Sequence, residues 1–128
     1  MPGGGLAFLR AIDPVAREAE RATGDERTGL LILAQALEVP TRTIAENSAA
    51  DGGVVVGDLK RGTGAYGFDA ARGTYCDLLA AGIVDPTKVL RVAVENAVSV
   101  AGTLLLTEAT LTEVEDAKPE AAALAAEP

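Results

Sequence analysis

The sequence predicts a mainly α-helical bundle with one small β-hairpin and a single edge strand near the C-terminus. Apolar residues recur at helical spacing through most of the chain, and glycines, prolines and capping side chains separate the segments. Residues that favour strands cluster in only two short stretches. The chain has 128 residues, which is enough for one domain with a real core, so two independent domains are not expected.

Four helices are predicted in the first half of the chain. Each has apolar residues at helical spacing and is bounded by a glycine, a proline or a side chain that can cap a helix. Pro14 is expected to kink the first helix, whereas Pro40 is expected to end the second. The predicted helices span about residues 6–23, 25–39, 41–46 and 54–60.

The segment 65–76 has a different character, because it holds three of the four aromatic residues of the chain. Tyr66 and Phe68 are two positions apart, as neighbours on one face of a strand are, and Tyr75 follows after a glycine. This pattern predicts a small β-hairpin with residues 69–71 at its tip.

The strongest helix signal lies in the second half of the chain. Asp85 can cap a helix and Pro86 suits its first position, and helical spacing then continues to about Leu106. A short helix over residues 77–82 is predicted to precede it. Residues 107–114 are rich in Thr, Val and Leu and predict a strand, which we expect to pair with something outside these residues because a strand needs a hydrogen-bonding partner.

Composition excludes several classes of function. The chain has no histidine and one cysteine, so histidine-based catalytic triads, imidazole metal sites and disulfide frameworks are excluded. Its net charge of −8 argues against a nucleic-acid or anionic-membrane surface. The first residues do not resemble a signal peptide, and the apolar segment 89–106 carries too many polar groups for a membrane span. We therefore expect a cytoplasmic protein whose partners are proteins or small molecules.

The last residues predict a separate tail. Residues 117–128 are rich in Ala and Glu and contain proline, a composition typical of a flexible chain end. The sequence is therefore divided into one domain over residues 1–116 and a flexible, acidic, Ala-rich tail over residues 117–128.

Individual signals for a binding site are weak. The run Gly3-Gly4-Gly5 before a helix could let backbone amides approach a phosphate or sugar, but such a run is more often a flexible entry. Asp85 could accept hydrogen bonds from a ribose diol, although an Asp at a helix start is more often a cap. The small residues at 69–71 would admit the edge of a planar ring, but such a loop is usually a turn. By themselves the residues predict a mostly helical domain whose role stays open.

Several segments taken together resemble one known family. They resemble the C-terminal part of the group I chaperonin subunit, the GroEL family, over about residues 2–115, and the stretch Gly-Ile-Val-Asp-Pro-Thr-Lys-Val is highly specific. The segments, in matching order and spacing, are Pro2-Gly3-Gly4-Gly5, Tyr66-Gly67-Phe68-Asp69-Ala70-Ala71, Ala81 through Val89, Ala97-Val98-Ser99-Val100-Ala101-Gly102 and Thr107-Glu108-Ala109.

The resemblance implies the second half of an equatorial domain, a helical bundle that binds ATP with Mg²⁺ and makes contacts within and between heptameric rings. It implies that residues 107–114 join a small sheet with an N-terminal strand and a neighbouring subunit. The family commonly has Asn where this chain has Asp69, so a hydrogen-bond donor is replaced by an anionic acceptor. The implied nucleotide contacts are Gly4 against the nucleotide, Asp69, Ala70 and Ala71 at the adenine, Ile83 packed on the base and Asp85 at the ribose hydroxyls.

The same resemblance implies that other parts of the site precede this segment. These parts are the phosphate loop, the metal-binding and catalytic aspartates, and the apical domain that binds the co-chaperonin and unfolded clients, so no catalytic residue or metal ligand is expected in this chain. We therefore expect part of an ATP-hydrolysing folding chaperonin, inactive by itself. The alternatives are a stand-alone, non-enzymatic interaction module derived from a chaperonin, and a small nucleotide-binding regulator.

Overall fold

The computed structural model of the chain describes residues 1–112. These residues form five helices and one two-stranded antiparallel sheet, which confirms the predicted mainly helical fold with a small hairpin. The predicted tail over residues 117–128 lies outside the described residues. The elements are α1 (Leu6–Arg21), α2 (Gly24–Ala36), α3 (Val39–Asn47), α4 (Gly52–Arg61), β1 (Tyr66–Asp69), β2 (Thr74–Asp77) and α5 (Thr87–Leu105).

The described residues divide into two compact units, the first over Met1–Ala93 and the second beginning at Val94. In the first unit α1 packs against α2 and α3 packs against α4, while α1 and α4 also contact each other. Burial of the apolar faces of these helices against the hairpin supplies the main stabilising free energy of this unit. Its core consists of Leu6, Leu9, Ala45, Val55, Val56, Leu59, Phe68 and Leu78.

Proline 40 begins a helix rather than ending one, which corrects the prediction. It lies in the first turn of α3, where its missing N–H costs no hydrogen bond. A proline ring also clashes with the carbonyl four residues earlier in a continuous helix, and that residue is Ala36, where α2 ends. Thr41, the first residue of the predicted third helix, lies inside α3 and is buried.

Helix α4 begins two residues before the predicted start because its cap is Asp51. The Asp51 carboxylate accepts a hydrogen bond from the Val54 amide at 3.0 Å. Such a cap satisfies one of the amides that have no partner inside the helix. Val55, Val56 and Leu59 then face the core.

The hairpin forms where the aromatic residues predict it. Its register pairs Tyr66 with Asp77 and Phe68 with Tyr75. The ring of Tyr75 lies 5.8 Å from the ring of Tyr66 and 5.4 Å from that of Phe68, so it packs against both strand neighbours. The turn between the strands contains Gly73 at φ +66°, a left-handed conformation that glycine adopts without steric cost.

The hydroxyl of Tyr75 donates a hydrogen bond of 2.9 Å to the Asp58 carboxylate on α4. The pKa of Tyr75 is raised above its ordinary value of 10.0, mainly by partial burial and secondly by this hydrogen bond. Because the folded chain keeps this proton where the unfolded chain loses it, the free energy of unfolding is expected to fall as the pH rises above about 10.

Titration of tyrosinate absorbance in a Tyr66→Phe background, which leaves one tyrosine, measures the pKa of Tyr75 directly. Asp58→Asn is expected to lower it, since the negative charge beside the hydroxyl is removed. Asp13→Asn, a change at an exposed position on α1, is the control and should leave it unchanged. An identical pKa in Asp58→Asn and in the control would contradict the prediction.

The predicted short helix over residues 77–82 is a series of turns, which corrects the prediction. The Asp77 carboxylate accepts from the Ala80 amide at 2.9 Å, as a cap does. Gly82 then adopts φ +74°, and the Ile83 amide donates to the Leu78 carbonyl at 2.8 Å. The left-handed glycine reverses the chain before a helix can grow.

Helix α5 confirms the helix predicted after Asp85, and none of its side chains is buried in the described part of the chain. The strand predicted over residues 107–114 does not form over 107–112, which are irregular, and its last two residues lie outside the described part. A strand is stable only with a hydrogen-bonding partner, and residues 1–112 supply none to this segment. No helix within residues 1–112 has the length and apolar character that crossing a membrane requires.

Candidate nucleotide site

The first residues of the chain pair with residues that follow the hairpin. Pro2 and Val84 form an antiparallel bridge. Beside it the Gly3 amide donates to the Ile83 carbonyl at 2.9 Å, and the Asp85 amide donates to the Met1 carbonyl at 3.0 Å. This pairing places the glycine turn before α1 next to Ile83 and Asp85, although the two segments are far apart in sequence.

The glycine turn depends on left-handed backbone. Gly4 has φ +63° and Gly5 has φ +76°, and Gly5 is the residue that precedes α1. A Cβ on Gly4 would lie 3.6 Å from the Phe68 carbonyl oxygen and 3.7 Å from Leu78, so the turn lies directly against β1. The Gly4 carbonyl accepts a hydrogen bond from the Thr41 hydroxyl at 3.3 Å, which attaches the turn to α3.

Asp69 is buried at the end of β1, and its carboxylate shapes the hairpin turn. One oxygen, Oδ1, accepts from the amides of Ala71 at 3.0 Å and Arg72 at 3.2 Å. The other, Oδ2, lies 3.5 Å from the Arg72 guanidinium. Both oxygens therefore engage the hairpin itself, and the side chain predicted to meet an adenine holds the tip in shape. Ala70 is half-buried against the core, while Ala71 is exposed.

Ile83 and Asp85 differ in what their side chains do. Ile83 is half-buried and packs against the core. Both backbone polar groups of Asp85 pair with Met1, because the Met1 amino group also donates to the Asp85 carbonyl at 3.1 Å. Within residues 1–112 no side-chain hydrogen bond or ion pair engages the half-buried Asp85 carboxylate. It can therefore accept hydrogen bonds from a ligand.

The structure brings some of the predicted positions close together. Gly4 contacts the residue before Asp69, and its neighbour Gly3 contacts Ile83. An apolar side chain and a carboxylate, here those of Ile83 and Asp85, are among the kinds of group that line small-molecule sites. Among residues 1–112 no group of three or more acidic or cysteine side chains could hold a metal ion.

Sequence reasoning missed two residues that hold this site together. Thr41 binds the Gly4 carbonyl and lies in tight contact with Gly5. Arg10 on α1 binds backbone carbonyls at the entry to the hairpin. The sequence offers one faint signal for Arg10: it follows Leu6 by four positions and so interrupts the apolar face of α1 with a charge.

Comparison with known proteins identifies the family to which the chain belongs. Residues 1–115 match the TCP-1/cpn60 chaperonin family, so the chain belongs to that family. The GroEL resemblance seen in the sequence is thereby confirmed.

Two known chaperonins are similar to this chain in sequence. The chain is 64% identical over 120 residues to Chaperonin GroEL 5 of Bradyrhizobium diazoefficiens, and the match covers 94% of this chain and 22% of that protein. It also resembles the crystal structure of a group III chaperonin in the open state, with a TM-score of 0.78 and 36% identity, over 87% of this chain and 24% of that one.

A second solved structure supports the fold alone. The open-state monomer of a group II chaperonin from Methanococcoides burtonii superposes with a TM-score of 0.78 at 22% identity, over 84% of this chain and 28% of that one. The chain therefore spans about a quarter of the length of each of these relatives.

Proposed function

We propose that the chain is the C-terminal part of the equatorial domain of an ATP-hydrolysing chaperonin subunit, which assists protein folding in the cytoplasm. Family membership supports this, and so does one structural observation: the pairing of Pro2 with Val84, which sets the glycine turn beside Ile83 and Asp85. The domain covers residues 1–116, and the chain by itself is inactive because the phosphate and metal half of the site belongs to the rest of the subunit.

In this proposal the chain binds the base and the sugar of ATP. Gly4 lies against the nucleotide, Ala70 and Ala71 meet the adenine edge, and Ile83 packs on the base. Asp85 accepts hydrogen bonds from the ribose hydroxyls, which are donors of the kind that a charged carboxylate binds well. Asp69 contributes through the tip that it holds in shape.

The proposed partners are other chaperonin subunits in heptameric rings. Co-chaperonin and unfolded clients would bind an apical domain outside this chain. The segment 107–112 supports a ring contact, since a segment with strand composition that pairs with no strand among residues 1–112 can add to the sheet of a neighbour.

A chimera tests the proposal. In it, residues 1–128 replace the matching region of Chaperonin GroEL 5, and ATP hydrolysis and ring assembly are compared with those of the unaltered relative. A chimera that forms rings and hydrolyses ATP supports the proposal. A chimera that forms rings without ATP hydrolysis overturns it.

Asp85→Ala in this chimera is expected to raise the Michaelis constant for ATP by about tenfold or more, because hydrogen bonds to a charged group contribute roughly 1.5–3 kcal/mol. Asp85→Asn, which keeps one acceptor oxygen, should have a smaller effect. Asp13→Ala removes an exposed carboxylate on α1 and is the matched control. Equal Michaelis constants for Asp85→Ala and Asp13→Ala, in variants with unchanged melting temperatures, would remove Asp85 from the site.

One observation favours the alternative of a stand-alone interaction module. Helix α5 exposes a series of large apolar side chains, and such a surface is typical of a protein contact. These are Val89, Val98, Val100, Leu104 and Leu105. The intact mass of the native product in its source cells separates the two functions, since a species several-fold larger than 13.0 kDa supports the subunit and a species near 13.0 kDa supports the module.

A further inference from the structure

Arg10 binds three backbone carbonyls at once. Its Nη1 donates to the Leu59 carbonyl at 2.9 Å, its Nε to the Gly64 carbonyl at 3.2 Å and its Nη2 to the Tyr66 carbonyl at 3.3 Å. The three acceptors lie in the last turns of α4, in the loop that follows and in the first residue of β1. One side chain on α1 thus fixes the path of the chain into the hairpin.

The position of Arg10 on α1 adds a second point of contact. Leu6 lies four residues earlier and therefore on the same face of the helix. A Cβ on Gly67 would lie 3.2 Å from Leu6, so the helix and β1 are in close contact at that level too. Because Arg10 and Leu6 contact β1 at two points along α1, they fix the orientation of β1 relative to α1 as well as the distance between them.

The chemistry of these bonds suits arginine in particular. A guanidinium presents five N–H donors in a fixed plane, so it can serve three separated carbonyls, whereas a lysine ammonium acts as a compact point charge. The carbonyl of Leu59 belongs to the C-terminal end of α4, where the helix dipole also favours a positive charge.

We propose that Arg10 is a positioning residue for the nucleotide site. By fixing the start of β1 on α1, it places the hairpin, whose tip is residues 69–71, relative to the glycine turn that precedes α1, and so it affects how closely the proposed site fits an adenine. This inference rests on the proposed function. The hydrogen bonds of Arg10 reach neither the glycine turn nor residues 69–71, so it acts through the placement of the hairpin.

The test uses the chimera described above. Arg10→Ala is expected to raise the Michaelis constant for ATP by about tenfold with little change in kcat, since binding groups that are no longer held in place must be ordered when the nucleotide binds, which lowers affinity. Arg10→Lys keeps the charge and recovers part of the loss. Arg17→Ala, which removes an exposed guanidinium two turns later on the same helix, is the control and should match the unaltered chimera.

Nucleotide discrimination is a readout that a loss of stability alone would not move. The ratio of kcat/KM for ATP to that for GTP should fall severalfold in Arg10→Ala and remain unchanged in Arg17→Ala. A lower melting temperature with an unchanged Michaelis constant and an unchanged ratio would overturn the inference.

Two other outcomes are also decisive. If Arg10→Ala does not fold, Arg10→Lys decides, and an unchanged Michaelis constant and ratio in that variant overturn the inference. If the unaltered chimera forms rings and does not hydrolyse ATP, the proposed function fails, and the inference fails with it for that separate reason.

Discussion

Replacing Gly5 with alanine is expected to lower the free energy of unfolding of the chain by about 3 kcal/mol or more. Gly5 has φ +76°, which strains any residue that carries a Cβ. The new Cβ would also lie 2.5 Å from the Thr41 hydroxyl oxygen and 2.8 Å from the Thr41 amide nitrogen. A hydroxyl can rotate away, but the amide belongs to α3, so the helix itself must move.

Gly64→Ala is the control that separates the cost of backbone strain from the cost of the steric clash with Thr41. Gly64 has a similar φ of +62°, and nothing lies within 4 Å of the place where its Cβ would be. Its replacement should therefore cost only the conformational strain, about 1 kcal/mol. Urea unfolding followed by circular dichroism measures both variants. Equal losses in the two would contradict the role given to the contact between the glycine turn and Thr41.

Leu78→Ala is expected to lower the free energy of unfolding by about 2–5 kcal/mol, because it removes a buried side chain and leaves a cavity. Leu78 is fully buried and packs against Gly67 of β1 and the glycine turn at Gly4. The absence of a side chain at Gly67 makes room for it, since a Cβ there would lie 2.3 Å from a Leu78 methyl carbon.

Leu79→Ala is the matched control for this variant. The substitution is chemically identical and one position away, but Leu79 is 51% exposed, so little burial is lost and the expected change is within about 0.5 kcal/mol. Comparable losses in the two variants would show that residues 78–82 do not pack on the core as described.

The helices could be predicted because each one has its sequence signals within its own segment. Apolar spacing marked α1 and α5, and an Asp-Pro pair marked the start of the latter. The error at Pro40 arose because proline is acceptable in a first helical turn and disruptive in an interior, and a sequence does not say which turn it occupies. The strand over residues 107–114 has strand composition, but composition supplies no partner.

The candidate site could be predicted only in part. A family pattern pointed to Gly4 and Asp85, and their nucleotide contacts stay predictions, although the pairing of residues 2 and 84 brings the two segments together. The residues that hold the site were missed for a physical reason. Arg10 and Thr41 bind backbone carbonyls, and a carbonyl is present at every position, so no partner residue type marks such a contact in the sequence.

The pairing at the beginning of the chain has a consequence for synthesis on the ribosome. Met1 and Asp85 are bonded although they are 84 positions apart. At ordinary rates of translation their synthesis is separated by on the order of ten seconds. Helical hairpins form within microseconds to milliseconds, so α1 and α2 can pair long before Val84 exists. The glycine turn therefore pairs with residues 83–85 late, and this part of the candidate site is among the last parts of the first unit to form.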